Sequence, residues 1–472
     1  MPEQAAMLTS NANAKGMVAS LADSHIARRA MPSGVIASSL VAALVAMPIA
    51  NSAAVVRRAT GSAYPSVITF LVPLFVAILT LSIIAIIAEA SNEPIGASQT
   101  SRESAGRAGA GLFAALLAWL LITYFRVGEF DAVRNLAVVI IAFTVVYTFA
   151  KRGLALGELY RSLCRITVFV SLALYVLNST WFVNAHKYFI DSGKIVSTFP
   201  NVQGILSHPN LTALFYGSAL ITEVALWGKG RAHVSLFYAF AFSSLLAVTQ
   251  GRNAIGATVL AVLCVVAYKK GRAAIAAATL TACFAASWVP LAWMVPSFFT
   301  TDRPDYGWLS GVTNRGSLWV AIAEILPDSI IWGNGANGIR QALPLTMDRD
   351  VDEVTHAHNQ ILDLLLVGGL PAVGLYTLLF FVIAKHIRSG RPSPVGVGLI
   401  ILLAVTTITE TPLAPYVTQI GVVLFSLTIT LIFAQPGASI APSHTSPTNR
   451  PVHPTPSTLP ADHISAKQWT SR

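Results

Sequence analysis

Two histidines, His356 and His358, stand immediately ahead of a long, largely apolar run that ends in Gly368, Gly369 and Pro371. An imidazole titrates near neutrality, so it can take up or release a proton at physiological pH. If the run from Asn359 to Val367 is helical, it is on the order of 15 Å long before the glycines and Pro371 break it. His358, Leu362, Leu365 and Gly369 then recur at helical spacing, and one face carries the imidazole above an apolar stripe. His356 projects about 200° away from that face, so only one of the two serves a given site. A pair of loop histidines ahead of a membrane helix is the structural alternative, and spacing leaves both open.

Arginines offer a second kind of chemistry, the binding of an anionic group. Arg252, in Thr249-Gln250-Gly251-Arg252-Asn253, is the only basic residue in a very short turn between two apolar runs. Its charge lies near a membrane interface and needs a partner, which a salt bridge, a lipid headgroup or an anionic substrate would each supply. Arg315 and Trp319 fall one turn apart in the stretch 313–326, which reads as a capped helix stopped before Pro327. Cation–π packing of that pair is the structural alternative. Asp348, Asp350, Asp352 and Glu353 precede the histidines, but Glu353 and Asn359 stand where a calcium loop requires Gly and a bidentate Glu, so no metal is expected. Gly333-Asn334-Gly335-Ala336-Asn337-Gly338 has the spacing of a dinucleotide fingerprint with no room for a βαβ unit around it, and it reads as a turn.

The elements that must position these groups are membrane helices. Of 472 residues, 54% are hydrophobic and only 11% charged, against roughly 25% charged in soluble domains. Apolar runs able to cross a core of roughly 30 Å lie near 34–55, 66–88, 108–125, 132–150, 164–184 and 210–227, then 233–249, 253–268, 273–295, 370–385, 395–411 and 415–434. The expectation is an all-α polytopic protein of about twelve spans, with one long external loop between spans nine and ten. Residues 1–33 read as a cytoplasmic segment, 34–434 as the transmembrane domain with its loop at 295–357, and 435–472 as a disordered cytoplasmic tail rich in Pro, Ser and Thr. The first apolar run starts too late for an ordinary cleaved signal peptide and is expected to be retained.

The net charge of +10 comes from small basic groups between apolar runs, which points to orientation in a membrane and not to nucleic acid. With a cytoplasmic N-terminus, Arg28, Arg29, Arg102, Arg107, Lys151, Arg152, Arg161, Lys229, Arg231, Lys269, Lys270, Arg272, Lys385, Arg388 and Arg391 all fall inside, while Arg57 and Arg58 are the exceptions. Both termini are then cytoplasmic, and Arg252, the long loop and His358 share the external face. Cys164, Cys264 and Cys283 lie in or beside apolar runs without metal-ligand spacing and read as small hydrophobes.

The pattern His358-Asn359, nine residues, Gly369 resembles the signature of the O-antigen ligase and O-antigen polymerase superfamily. Ser207-His208-Pro209-Asn210 opening a span, Gln250-Gly251-Arg252 between two spans, Arg315 with Trp319, and Ile408-Thr409-Glu410 are also similar to that family. The likeness covers roughly residues 200–425. Ala372 departs from the pattern, which usually has Gly, Thr or Tyr there.

The resemblance implies glycosyl transfer on the periplasmic face of the bacterial inner membrane, without metal or cofactor, from a saccharide carried on undecaprenyl pyrophosphate. It makes His358 the general base and Arg252 and Arg315 the pyrophosphate clamp. Asn210, Asn359 and Glu410 become further substrate-binding candidates, although Asn210 suits helix capping and Glu410 suits holding an arginine or ending its span. The acceptor is a second lipid-linked glycan for a polymerase and lipid A core for a ligase. Asp363 inside the motif, with no evident core-oligosaccharide site, tips the reading to a polymerase of O-antigen or exopolysaccharide. A polysaccharide or lipid-linked sugar transporter is the contrasting class. Its usual mark is ionisable groups at mid-membrane, and the apolar runs read as clean apart from Glu223 and Arg134 near their ends.

Overall fold

Apolar runs become helices here because a backbone in lipid must satisfy its own hydrogen bonds, and a helix does so within one segment. The computed structural model describes residues 103–151, 155–177, 204, 206, 209–228, 232–294, 318, 319, 322, 323, 325, 326, 330–336, 357–390, 392–414 and 419–434. In order, the helices are α1 Glu103–Arg126, α2 Phe130–Lys151, α3 Leu156–Leu177, α4 Pro209–Ala225, α5 Ala232–Val248 and α6 Arg252–Lys269, then α7 Ala273–Ser287, the short α8 Val289–Met294, α9 Gln360–Arg388, α10 Pro394–Thr406 and α11 Gln419–Phe433. No strand occurs among the described residues. Five stretches within these helices are long and apolar enough to cross a membrane: Arg107–Arg126, Phe130–Thr148, Arg252–Lys269, Ala273–Trp293 and Gln360–Arg388. The expected spans 34–55 and 66–88, the N-terminal segment and the tail lie outside the described residues.

Small residues let the helices approach. At Gly217 on α4 a Cβ would overlap the Thr258 hydroxyl of α6, and at Gly398 on α10 it would overlap Ile221 and Val265. The aromatic core joins α1, α2, α9 and α11, where Phe113 meets Phe143 at 4.9 Å and Phe425 at 5.6 Å.

The helices alternate in direction, so their ends form two faces. On one, Lys269 reaches the Ala225 carbonyl at 3.0 Å, Arg161 donates to the Leu226 carbonyl at 3.0 Å and Tyr268 donates to the Pro392 carbonyl at 2.9 Å. Arg107, Lys151, Lys270, Arg272, Lys385 and Arg388 lie at helix ends of that same face. On the other face, ties join the starts of α4, α6 and α9 to the segment after α10.

One expectation about the spans is corrected. The apolar runs are not clean, because α3 carries Arg165, whose guanidinium binds Glu223 of α4 through Nε–Oε1 at 2.5 Å and Nη2–Oε2 at 2.8 Å. The Glu223 side chain is fully buried, and Arg165 also lies over the Tyr238 ring at 4.7 Å. A lone carboxylate in an apolar helix needs such a partner, and that requirement was the available signal for the pair.

α9 changes direction at Gly369, whose φ of 67° and ψ of −168° are non-helical. The break frees backbone groups that must be paired. A strap formed by residues 330–336 pairs them: Asn334 N–H donates to the Leu366 carbonyl at 2.7 Å, Gly335 N–H to the Val367 carbonyl at 3.1 Å, and Leu370 N–H to the Ile330 carbonyl at 2.8 Å. The Trp119 indole donates to the Gly368 carbonyl at 2.7 Å and its ring stacks on Trp332 at 5.9 Å. Arg126 donates to the Gly333 carbonyl and Glu129 accepts from Ala336 N–H, each at 2.5 Å. Over its described part, 333–336, the glycine-rich stretch is irregular backbone with positive φ at Gly333 and Gly335, and it closes the broken helix.

Candidate functional site

The site is built around the start of α9. Asn359 is extended (φ −156°, ψ 129°), and its side-chain oxygen accepts from the N–H groups of Ile361 and Leu362 at 3.1 Å each, so it caps the helix. Its amide nitrogen donates to the carbonyls of Ser287, at the end of α7, and Ile408, after α10, at 3.0 Å each. Asn359 is fully buried and engaged through both ends of its amide. Gln360 adds two ties, N–H to the Thr407 carbonyl at 3.0 Å and Oε1 from Leu413 N–H at 2.8 Å.

His358 precedes the cap and is not on the helix, which corrects the expectation that it shares a face with Leu362, Leu365 and Gly369. Its φ is 50°, a left-handed conformation uncommon outside glycine. The helical period starts only after the cap at Asn359, the residue that follows His358, so helical projection does not describe where the imidazole points. Nδ1 lies 3.2 Å from Oε2 of Glu410, with 29% of the histidine side chain and 16% of the glutamate exposed. His356 lies outside the described residues.

Glu410 is the hub. Its other oxygen accepts from Asn210 Nδ2 at 3.3 Å. Asn210 therefore sits inside the first turn of α4, after Pro209, with its amide on Glu410, and not at the capping position expected for it. Glu410 itself follows a turn closed by its N–H on the Thr406 carbonyl at 2.8 Å.

Arg252 is the first residue of α6, exposed, after the turn in which Gln250 has a φ of 54°. Its neighbour Asn253 donates to the Thr409 hydroxyl at 2.6 Å, which fastens the start of α6 next to Glu410. The starts of α4, α6 and α9 thereby meet on one face, and helix starts carry positive partial charge. Arg315 lies outside the described residues. Near it in sequence, Leu318, Trp319, Ile322, Ala323, Ile325 and Leu326 are helical, and the Trp319 indole donates to the Ala357 carbonyl at 3.0 Å. Among the described residues no three His, Cys, Asp or Glu side chains gather in a way that would hold a metal ion. Asp348, Asp350, Asp352 and Glu353 lie outside those residues.

Sequence reading missed Asn253 and Asp363 as parts of this architecture. Asn253 had a usable signal, since a polar residue beside Arg252 in a two-span turn has few other places to go. Asp363 had one in its carboxylate, which an apolar helix accommodates only with donors nearby.

A histidine held by a carboxylate at one end of a helical membrane bundle, on the face where an exposed arginine begins a helix, defines the class: a multi-pass membrane protein with a polar site at its surface. Residues 237–377 match the family model described as O-antigen ligase, so that stretch of the chain is similar to the O-antigen ligase and polymerase superfamily. None of the curated proteins compared with the chain matches it. The match includes Arg252, Arg315, Trp319, His358, Asn359 and Gly369 and supports a membrane enzyme of that general type.

Proposed function

We propose that this protein transfers a saccharide from an undecaprenyl-pyrophosphate donor to an acceptor hydroxyl on the periplasmic face of the inner membrane, in O-antigen or exopolysaccharide assembly. The observation that carries the reading is the His358–Glu410 pair at 3.2 Å on the face where α4, α6 and α9 begin. With Nδ1–H donating to Glu410, Nε2 keeps its lone pair for the acceptor proton. The acceptor oxygen attacks the anomeric carbon, its proton passes to Nε2, and the bond from the anomeric carbon to the pyrophosphate oxygen breaks. The leaving undecaprenyl pyrophosphate carries the charge, which Arg252 and Arg315 would hold through forked hydrogen bonds, aided by the positive helix starts. Asn210 orients Glu410 in this scheme, and Asn359 holds the backbone next to the base. No metal or cofactor enters the step. The periplasmic assignment rests on the basic residues collected at the opposite face.

Two acceptors fit. A second lipid-linked glycan, the polymerase reading, is the sequence preference, and lipid A core, the ligase reading, is the alternative. Asp363, one ground of that preference, accepts from the Ala357 N–H at 3.2 Å. Deleting the gene and running surface polysaccharide on a gel tests the reading. Lipopolysaccharide capped with a single repeat, or lost exopolymer, means polymerase; long lipid-linked chains that accumulate mean ligase. Unchanged surface glycan and unchanged lipid-linked intermediates would sink both.

A further inference from the structure

Asp363 lies one turn into α9 in an otherwise apolar stretch and is 2% exposed. The transfer scheme gives it no role, yet burying a carboxylate is costly unless donors meet it. Its N–H closes the first helical turn on the Asn359 carbonyl at 2.9 Å, and its carboxylate reaches back past His358 to the N–H of Ala357 at 3.2 Å. The opposite side of Ala357 is held as well, since its carbonyl takes the Trp319 indole at 3.0 Å. Ala357 itself is fully buried.

His358 is therefore strung between two fixed residues. Ala357 is gripped from α9 and from the loop helix, and Asn359 is gripped by α7 and the segment after α10. Between them the histidine adopts its φ of 50°. A side-chain-bearing residue in a sparsely populated conformation persists only where its surroundings over-determine it. The two grips on Ala357 supply that constraint on the side of the chain that the helix cap does not reach.

We propose that Asp363 and Trp319 are positioning residues for the transfer: by holding the Ala357 peptide they aim the His358 imidazole, Nδ1 at Glu410 and Nε2 at the acceptor. This rests on His358 being the base. A role confined to helix capping would change how much protein folds and leave the turnover of each folded molecule alone.

The test uses purified full-length protein and lipid-linked glycan extracted from the deletion strain, with kcat and donor KM measured per folded molecule. Asp363→Leu removes the acceptor and Trp319→Phe removes only the indole N–H; each is expected to lower kcat about 10- to 100-fold, the effect of misplacing a catalytic group by about 1 Å, with donor KM little changed. Asp363→Asn keeps an acceptor oxygen and is expected to stay near wild type. Wild-type kcat in folded Asp363→Leu or Trp319→Phe, a raised KM at unchanged kcat, or an Asn variant as slow as the Leu variant would each overturn the positioning role. Should Asp363→Leu fail to fold, Trp319→Phe decides alone. His358→Ala runs alongside and is expected to lose about 10²- to 10⁴-fold. Wild-type turnover in that variant would overturn the base assignment itself, a result distinct from failure of the positioning role.

Discussion

At the residue scale, the site depends on two kinds of group whose chemistry can be separated by substitution. A base works in its unprotonated form, so with His358 as the proposed base activity should rise with pH as its imidazole loses its proton. Glu410 carries the negative charge that favours imidazolium. In Glu410→Gln that charge is gone, the proton leaves more easily, and the ascending limb of the pH–rate profile should move to lower pH; a limb that stays in place or moves up would detach Glu410 from the base. The arginines differ from lysine in shape more than in charge. If Arg252 and Arg315 hold pyrophosphate oxygens in pairs, Arg252→Lys and Arg315→Lys keep the charge, lose the fork and should turn over donor at least about tenfold more slowly while inserting normally. Wild-type turnover by Arg252→Lys would make it an interface anchor.

At the scale of elements, the break in α9 rests on a backbone conformation open to glycine alone. Gly369 has a φ of 67° and ψ of −168°, a region that side-chain-bearing residues essentially do not occupy, and a methyl there would overlap the Ile331 carbonyl of the strap. Gly369→Ala should therefore lower stability by at least roughly 1–3 kcal/mol, visible as a lower thermal midpoint and less protein in the membrane. Gly374→Ala is the matched control five residues on. A Cβ there meets nothing within 4 Å, and the change should be neutral or stabilising by up to about 1 kcal/mol. Equal loss from both would mean that α9 tolerates no alteration, whatever the conformation at its break.

At the scale of the whole molecule, charge is divided between two faces. Lys269 and Arg161 bind the carbonyls that end α4, while Arg252 and His358 lie at the other ends of the bundle. A reporter active only in the periplasm should work when fused at Gly311 and fail when fused after Arg391. Reversed activities would put the His358 face in the cytoplasm, where it would meet neither a periplasmic acceptor nor a donor already turned outward.

The sequence determined by itself that this is a polytopic helical protein and which residues are the candidates for its chemistry. Hydropathy over a whole span is a sum of many like contributions, and the signature around His358 and Gly369 is local in the chain. It also placed the glycine break, because Gly368, Gly369 and Pro371 are poor helix formers wherever they occur. Only the tertiary structure decided what each chemical residue holds. Glu410 meets His358 across 52 residues and Asn210 across 200, and the Trp119 indole meets Gly368 across 249. No periodicity reaches such distances. The left-handed turn at His358 was equally hidden, since it is held on one side by Asn359, which caps the helix and reaches α7 and Ile408, and on the other by the grips on Ala357, and those partners are assembled by folding.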